Sequence, residues 1–204
     1  MKFSRRTPES LRQNALTRVV AELRAQGRAL HDLTLTNPTQ AGIVYPEAAL
    51  MAALADERAL RYEPSAKGLI EAREAVARWQ GRLDAERLIL AGSTSEAYGW
   101  LFKLLCEPGE AVAAPKPSYP LFDCLAELEA VGLKHYPLVE AEGWRIDFEG
   151  LERAATGEVR AVVVVNPNNP TGSYVDGEDW RRLLEFAGAR GLARSEEHTS
   201  ELQS

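Results

Sequence analysis

Residues 161–172 read AVVVVNPNNPTG. Four consecutive valines with no polar residue between them describe a strand buried on both faces, the pattern of a parallel sheet covered by helices. The strand must end at Asn166, because Asn166–Pro170 holds two prolines and three asparagines. Proline fixes φ and removes a donor, so this loop is stiff. It also lies at the carboxyl end of its strand, where open α/β sheets place ligands. An ordinary Pro/Asn turn needs one Asn-Pro pair, and the run Asn166–Gly172 is more constrained than a turn requires.

Working outward, the chain alternates around this strand. On its amino-terminal side come a helix over 147–155, a strand over 133–138, a helix from Tyr119 to Leu128 and a strand over 111–114. Before these lie a helix carrying Ala97, Trp100, Leu101, Leu104 and Leu105, and the stretch Arg87–Ala91 (RLILA), which reads as a buried strand. Connections long enough for crossover helices make this an α/β fold, a doubly wound, mostly parallel sheet with helices on both faces. Further out lie a helix over 69–80 with Leu69, Ala72, Val76 and Trp79 as its inward stripe, capped by Ser65 or a neighbour, and a helix over 47–55. A short alternating strand with Leu33 and Leu35, and a helix from Ser10 to Gln26, complete this side.

On the carboxyl side a helix over 177–190 carries Trp180, Leu183, Leu184, Phe186 and Ala187, and Gly191-Leu192 should open the next strand. Residues 193–204 instead read ARSEEHTSELQS, polar and without strand period. The natural sequence is therefore expected to stop near Arg194, with 195–204 a non-native tail and the edge of the valine strand uncovered.

Composition bounds the rest. With 204 residues, 45% of them hydrophobic and 26% charged, the chain can bury one sizeable core, and a second complete domain is not expected. The formal net charge of -6 comes without a clustered basic face, which argues against nucleic acid or an anionic membrane surface as partner. The start MKFSRRTPES is not followed by an apolar run, and no apolar run is long enough to span a bilayer. Neither export nor membrane insertion is expected. Cys106 and Cys124 fall in apolar helical patterns and read as buried, reduced thiols of a cytoplasmic protein. His31, His135 and His198 share no ligand spacing with them, so no metal site is expected.

Three more stretches carry candidate chemistry. Gly92-Ser93-Thr94-Ser95 turns from a strand directly into a helix, a geometry that presents unpaired N–H groups and the positive end of the dipole to an anion, with hydroxyls as extra donors. Followed by Glu96, the same residues also read as an ordinary capped helix start. Pro115-Lys116-Pro117-Ser118-Tyr119 is a rigid loop after a strand that can hold an aromatic face against a planar ring, with Tyr119 as that face. Tyr119 can equally be the first core residue of the following helix. Tyr62-Glu63-Pro64-Ser65-Ala66-Lys67-Gly68 lies between two helices, where Tyr62 could simply close a loop over the core.

The run Asn166–Gly172 closely resembles the Asn-Pro-x-x-Pro-Thr-Gly segment of class I/II aminotransferases, pyridoxal-phosphate enzymes of fold type I, and Tyr62–Gly68 resembles their Tyr-x-Pro-x-x-Gly stretch. Taken in order over residues 10–194, the resemblance implies a cofactor, pyridoxal 5'-phosphate, and a role for each match. Ser93, Thr94 and Ser95 would hold its phosphate, Tyr119 would stack on its ring, Asn169 would donate to the ring phenolic oxygen, and Tyr62 would reach the phosphate of a neighbouring subunit. It further implies cis bonds at Lys116-Pro117 and Asn169-Pro170, and a homodimer in the full-length protein. The implied division is an arm and small-domain segment at 1–46, an incomplete cofactor-binding large domain at 47–194, and the tail at 195–204.

The function so implied is transfer of an amino group between an amino acid and a 2-oxo acid. The family's Schiff-base lysine, the acid opposite the pyridine nitrogen and the substrate arginine all follow the Pro-Thr-Gly loop. The lysines of this chain, Lys2, Lys67, Lys103, Lys116 and Lys134, match none of those contexts. No catalytic residue is therefore assigned, and the chain alone is expected to be inactive. The alternatives are another reaction on the same fold, a β-lyase or a decarboxylase, or a non-catalytic binding fragment.

Overall fold

The computed structural model describes residues 4–7, 15–31, 37–81 and 83–198. They divide into two compact units, Ser10–Leu90, and Ala91–Ser204 together with Met1–Glu9.

Among its described residues the first unit holds three α-helices, α1 (Ala15–Ala25), α2 (Glu47–Leu54) and α3 (Ile70–Trp79), and two short 3-10 turns, Glu57–Leu60 and Ala85–Arg87. The expected strand around Leu33 and Leu35, and the first residues of the expected amino-terminal helix, lie outside the described residues. The apolar stripe expected on α3 is not its buried face: Arg73 and Ala77 are buried, while Trp79 is 68% exposed. The reason is polar. The Arg73 guanidinium turns inward and donates to the carbonyls of Gly68 (3.1 Å) and Ala85 (2.5 Å), so loop carbonyls rather than apolar packing seat this helix. Ser65 does not cap it either; the residue at the cap is Leu69, and the Ser65 hydroxyl donates to the Gly68 carbonyl at 2.9 Å. Gly68 sits at φ +88, and a Cβ there would come within 2.8 Å of the Leu90 side chain.

Arg87–Ala91 forms no strand. A strand needs a ladder partner, and among the described residues this stretch has one long-range backbone bond, Leu90 N–H to the Lys67 carbonyl at 2.9 Å, leaving Ile89 60% exposed.

The second unit is the α/β sheet. Its elements are α4 (Thr94–Leu105), β1 (Ala111–Lys116), α5 (Phe122–Leu128), β2 (Gly132–Val139), β3 (Arg145–Ile146), α6 (Phe148–Ala154), β4 (Val159–Asn166), α7 (Gly177–Arg190) and β5 (Ala193–His198). The strand order is β3-β2-β1-β4-β5, parallel except for the two-residue β3. Helices cover both faces, as a run of uninterrupted valines requires. On one face Val112, Ala114, Ala161, Val163 and Val165 pack against Tyr98, Phe102, Phe122 and Ala126 of α4 and α5. On the other Ala111, Ala113, Val162 and Val164 pack against Leu151 of α6 and Leu183 of α7. The β4 valines are at most 3% exposed, each contributing roughly 1.5–3 kcal/mol relative to full exposure.

Two local features set the register. Ala111 pairs with Val159 but Val112 with Ala161, so Arg160 is an extra residue in β4. It is turned out of the ladder and paired with Glu110, and the slip places Val159 on the same face as Val162 and Val164. At the far edge Arg145 donates to the buried carboxylate of Asp179 at 2.6 and 3.2 Å, and the Ile146 N–H adds a third bond at 3.3 Å. Short β3 is thereby tied to the first turn of α7.

The expectation that no strand follows Gly191 is overturned. Gly191 ends α7 in the left-handed region at φ +64, and β5 pairs along β4 from Ala161↔Ala193 to Asn166↔His198. The backbone ladder does not depend on side-chain polarity, and alternation of exposure along β5 lets Glu196 and His198 face outward. The covering is imperfect at Glu197, whose Oε2 is buried without a hydrogen-bond partner.

Candidate functional site

β1 and β4 are adjacent and parallel, so the loops that follow them, Pro117–Pro120 and Pro167–Gly172, leave the same end of the sheet. Three X-Pro bonds there are cis: Lys116-Pro117 and Asn169-Pro170, both expected, and Asn166-Pro167, which was not. The loops meet in a hollow of about 270 Å³ lined by Lys116, Pro117, Ser118, Tyr119, His135 and Pro170 among others. Tyr119 and Pro170 are thus brought to one place, and Asn169 precedes Pro170 in the chain.

Tyr119 is half-buried and lines the hollow, with its ring nearly perpendicular to that of Phe122. Asn169 is exposed and its side chain makes no hydrogen bond to the described residues, whereas the neighbouring Asn168 is buried. The loop is closed from within: Asn168 N–H donates to the Ser173 carbonyl at 2.8 Å, and Gly172 N–H to the Asn168 carbonyl at 2.7 Å. Asn166 accepts from Val175 N–H at 3.1 Å. The three asparagines therefore divide the work, two holding the loop and one projecting from it.

Ser93–Ser95 form the start of α4, which packs on the β1/β4 face and runs antiparallel to β1, with Cys106 at its far end against the Ala111 carbonyl. Its first turn therefore points toward the carboxyl ends of the strands. The Ser93 hydroxyl accepts from Glu96 N–H at 3.1 Å, and the Glu96 carboxylate reaches back to Gly92 N–H at 2.6 Å. This is the reciprocal capping read as the plain alternative above, and it leaves the N–H groups of Thr94 and Ser95 and their two hydroxyls for an anion. The capping and anion-binding readings are compatible, because they use different atoms. Glu96 does, however, place a negative charge beside that turn.

Tyr62 belongs to the unit Ser10–Leu90, in an irregular stretch, with its side chain 92% exposed.

Residues not anticipated from the sequence also shape the hollow. Asp123, in the first turn of α5, and His135, on β2, face each other at its rim, with Nε2 and Oδ1 3.4 Å apart. A more enclosed cavity of about 20 Å³, lined by Tyr136, Trp144, Val164, Asn168 and Asp179, lies on the α6/α7 side and holds no more than a water. Among the described residues no three His, Cys, Asp or Glu residues are placed to hold a metal ion, and no helix is long and apolar enough to cross a membrane. Cys106 is buried and Cys124 half-buried; both are free thiols, and burial pushes the Cys106 thiol up.

The chemistry of the donor set suits a phosphorylated aromatic ring. It offers N–H groups and hydroxyls at a helix start, an aromatic face, and an outward amide. Of the lysines, Lys67, Lys103 and Lys134 are held by Glu86, Glu129 and Glu158 at 3.2, 2.5 and 3.0 Å. Lys116 lines the hollow.

Comparison with known proteins supplies the remaining findings. Residues 32–193 match the family model for aminotransferase class I and II. The chain is 30% identical over 176 residues to an alanine aminotransferase of Mycobacterium tuberculosis, covering 82% of this chain and 40% of that protein. It is 30% identical over 136 residues to an S-alkyl-thiohydroximate lyase of Arabidopsis thaliana, covering 64% of this chain and 29% of that one. Among solved structures, an alanine aminotransferase from Pyrococcus furiosus superimposes with a TM-score of 0.81 at 26% identity, over 96% of this chain and 51% of that chain. The chain thus spans about half or less of the length of these relatives.

Proposed function

The chain belongs to the class I and II aminotransferase family, and from that premise we propose that it carries the cofactor-holding residues of an enzyme moving an amino group between an amino acid and a 2-oxo acid, with pyridoxal 5'-phosphate as cofactor. The observation that carries the reading is the meeting of Tyr119 and Pro170, the residue that follows Asn169, in one hollow at the carboxyl ends of β1 and β4.

When bound, the cofactor supplies an aldehyde that condenses with amines and a pyridinium ring that takes up electrons as a Cα proton leaves. The chain's part is binding and orientation. Thr94 and Ser95 offer N–H and hydroxyl donors to the phosphate, and the α4 dipole favours its charge. Tyr119 gives the ring an aromatic face and excludes water from that side. Asn169 donates its amide to the ring phenolic oxygen. Tyr62 is assigned to the phosphate of a second copy, which makes the working unit a homodimer, and the setting is cytoplasmic.

A lyase on the same fold would share every one of these contacts, and the likeness to the Arabidopsis lyase keeps that second reading.

The test is a fluorescence titration of the chain with pyridoxal 5'-phosphate. Tyr119→Ala and Asn169→Ala should each weaken binding roughly three- to tenfold, and Thr94→Val with Ser95→Ala, which removes both hydroxyls but leaves the N–H groups, should weaken it through the phosphate. Equal affinity of all variants would refute the assignment.

A further inference from the structure

We propose that Asn168 is the positioning residue that couples the two loops of the site, setting where the Tyr119 ring stands relative to the Asn169 amide; the inference rests on the cofactor reading above. Asn168 is 4% exposed. Its Nδ2 donates to the Pro117 carbonyl at 3.2 Å and to the Thr171 hydroxyl at 2.8 Å. Pro117 lies two residues before Tyr119, and Thr171 two residues after Asn169. One planar amide therefore spans the loop that presents the aromatic face and the loop that presents the donor. Because the Pro117 carbonyl can only accept, the nitrogen of the amide must lie on that side. Among the described residues this is the single hydrogen bond joining 117–120 to 167–173.

Two further observations point to a positioning role rather than ordinary loop closure. The backbone of Asn168 is fixed on both sides by the bonds to Ser173 and Gly172, so its side chain has little freedom to yield. The polar atoms left buried without a partner here are Asn168 Oδ1 and the Ser118 hydroxyl, one on each of the coupled loops. A buried amide with half its capacity unused costs stability that closure of the loop alone does not require. The phosphate turn at Ser93–Ser95 makes no bond to Asn168, so loss of the coupling should disturb ring recognition and spare phosphate recognition.

The experiment compares the 204-residue chain with Asn168→Ala, Asn168→Ser and Asn169→Ala. Amide hydrogen exchange is read over residues 117–125 and over β1 and β4, and pyridoxal 5'-phosphate and inorganic phosphate are titrated in parallel. Either Asn168 variant should speed exchange over 117–125 roughly five- to tenfold, the loss of about one hydrogen bond, while β1 and β4 exchange as before. Pyridoxal 5'-phosphate should bind roughly tenfold more weakly and inorganic phosphate within twofold of wild type. Asn169→Ala should weaken pyridoxal 5'-phosphate without altering exchange over 117–125. Unchanged exchange over 117–125 in both Asn168 variants overturns the proposal. So does faster exchange spread equally over β1 and β4, which would assign Asn168 to general packing. If wild type fails to bind pyridoxal 5'-phosphate, the cofactor reading falls and the exchange pattern still decides the coupling.

Discussion

The ring of Phe122 stands edge-on to that of Tyr119, with centroids 5.8 Å apart and planes at 87°. On its other side Phe122 meets Tyr98 of α4 in the same manner, at 4.9 Å and 88°. Three rings thus connect the proposed stacking residue to the helix whose first turn offers the phosphate donors. Tilted and edge-on pairs are favoured by the ring quadrupole, and Phe122 is 1% exposed, so the connection is rigid.

Phe122→Ala should therefore cost about 3–5 kcal/mol in unfolding free energy, the range for emptying a buried aromatic site. Phe122→Leu, which keeps most of the volume, should cost markedly less. Urea denaturation measures both. An alanine variant unfolding at the wild-type midpoint would show that the three rings do not hold this end of the sheet together.

Ser93 and Glu96 should separate stability from anion binding. Ser93→Ala removes the cap on Glu96 N–H and should cost about 1 kcal/mol. Glu96→Gln keeps an oxygen for Gly92 N–H but removes a charge from the helix start. That change should lower stability by about 0.3–1 kcal/mol and strengthen phosphate binding a few-fold, since the carboxylate and the phosphate compete for one dipole. Thermal unfolding and phosphate titration read the two signs, and a Gln variant that binds phosphate more weakly contradicts the placement.

Burial pushes the Glu197 carboxyl up, and Tyr98 beside it offsets this only in part. A carboxyl whose folded pKa is raised contributes stability that is fully present below its ordinary value and is lost as pH rises through the raised one. Wild type should accordingly lose stability as pH climbs above about 4.5, and Glu197→Gln should remove that slope. Asp56 and Glu158 act in the opposite sense, since hydrogen bonds hold each near about 2. Their contribution is present above their ordinary values of 3.8 and 4.5 and is lost as pH falls from there through about 2, on the acid side of the Glu197 window. Denaturation midpoints across pH 4–8 for the two chains make the comparison, and parallel curves would remove Glu197 as the cause.

The chain by itself should show no transamination. Three of its described lysines are committed to carboxylates, and Lys116 sits at the end of β1 with no residue beside it assigned to move a Cα proton. Amino-group exchange between an amino acid and a 2-oxo acid, followed with added pyridoxal 5'-phosphate, should match the free cofactor in the same buffer. Turnover above that level overturns the expectation.

Much of the architecture was legible in order of residues alone. The valines of 162–165 dictated a strand buried on both faces, and therefore helices above and below it, because no other arrangement removes both faces from water. Proline and asparagine after them dictated a stiff loop at the strand's carboxyl end, and Ser93 with Glu96 a capped helix start, since those effects act within a few residues. What the sequence could not decide was which polar side chain turns inward. Asn168 and Asn169 are chemically identical neighbours, and only the position of the Pro117 carbonyl, fifty-one residues away in sequence, separates the buried one from the exposed one. The same holds for Arg73, which displaced the apolar stripe of α3 by finding loop carbonyls, and for Arg87–Ala91, whose apolar run found no ladder partner. The polar stretch after Gly191 became β5 because an unpaired edge of β4 satisfies any backbone set against it. Periodicity and turn chemistry are local and can be read along the chain; hydrogen-bond partners and strand neighbours are set by tertiary distance.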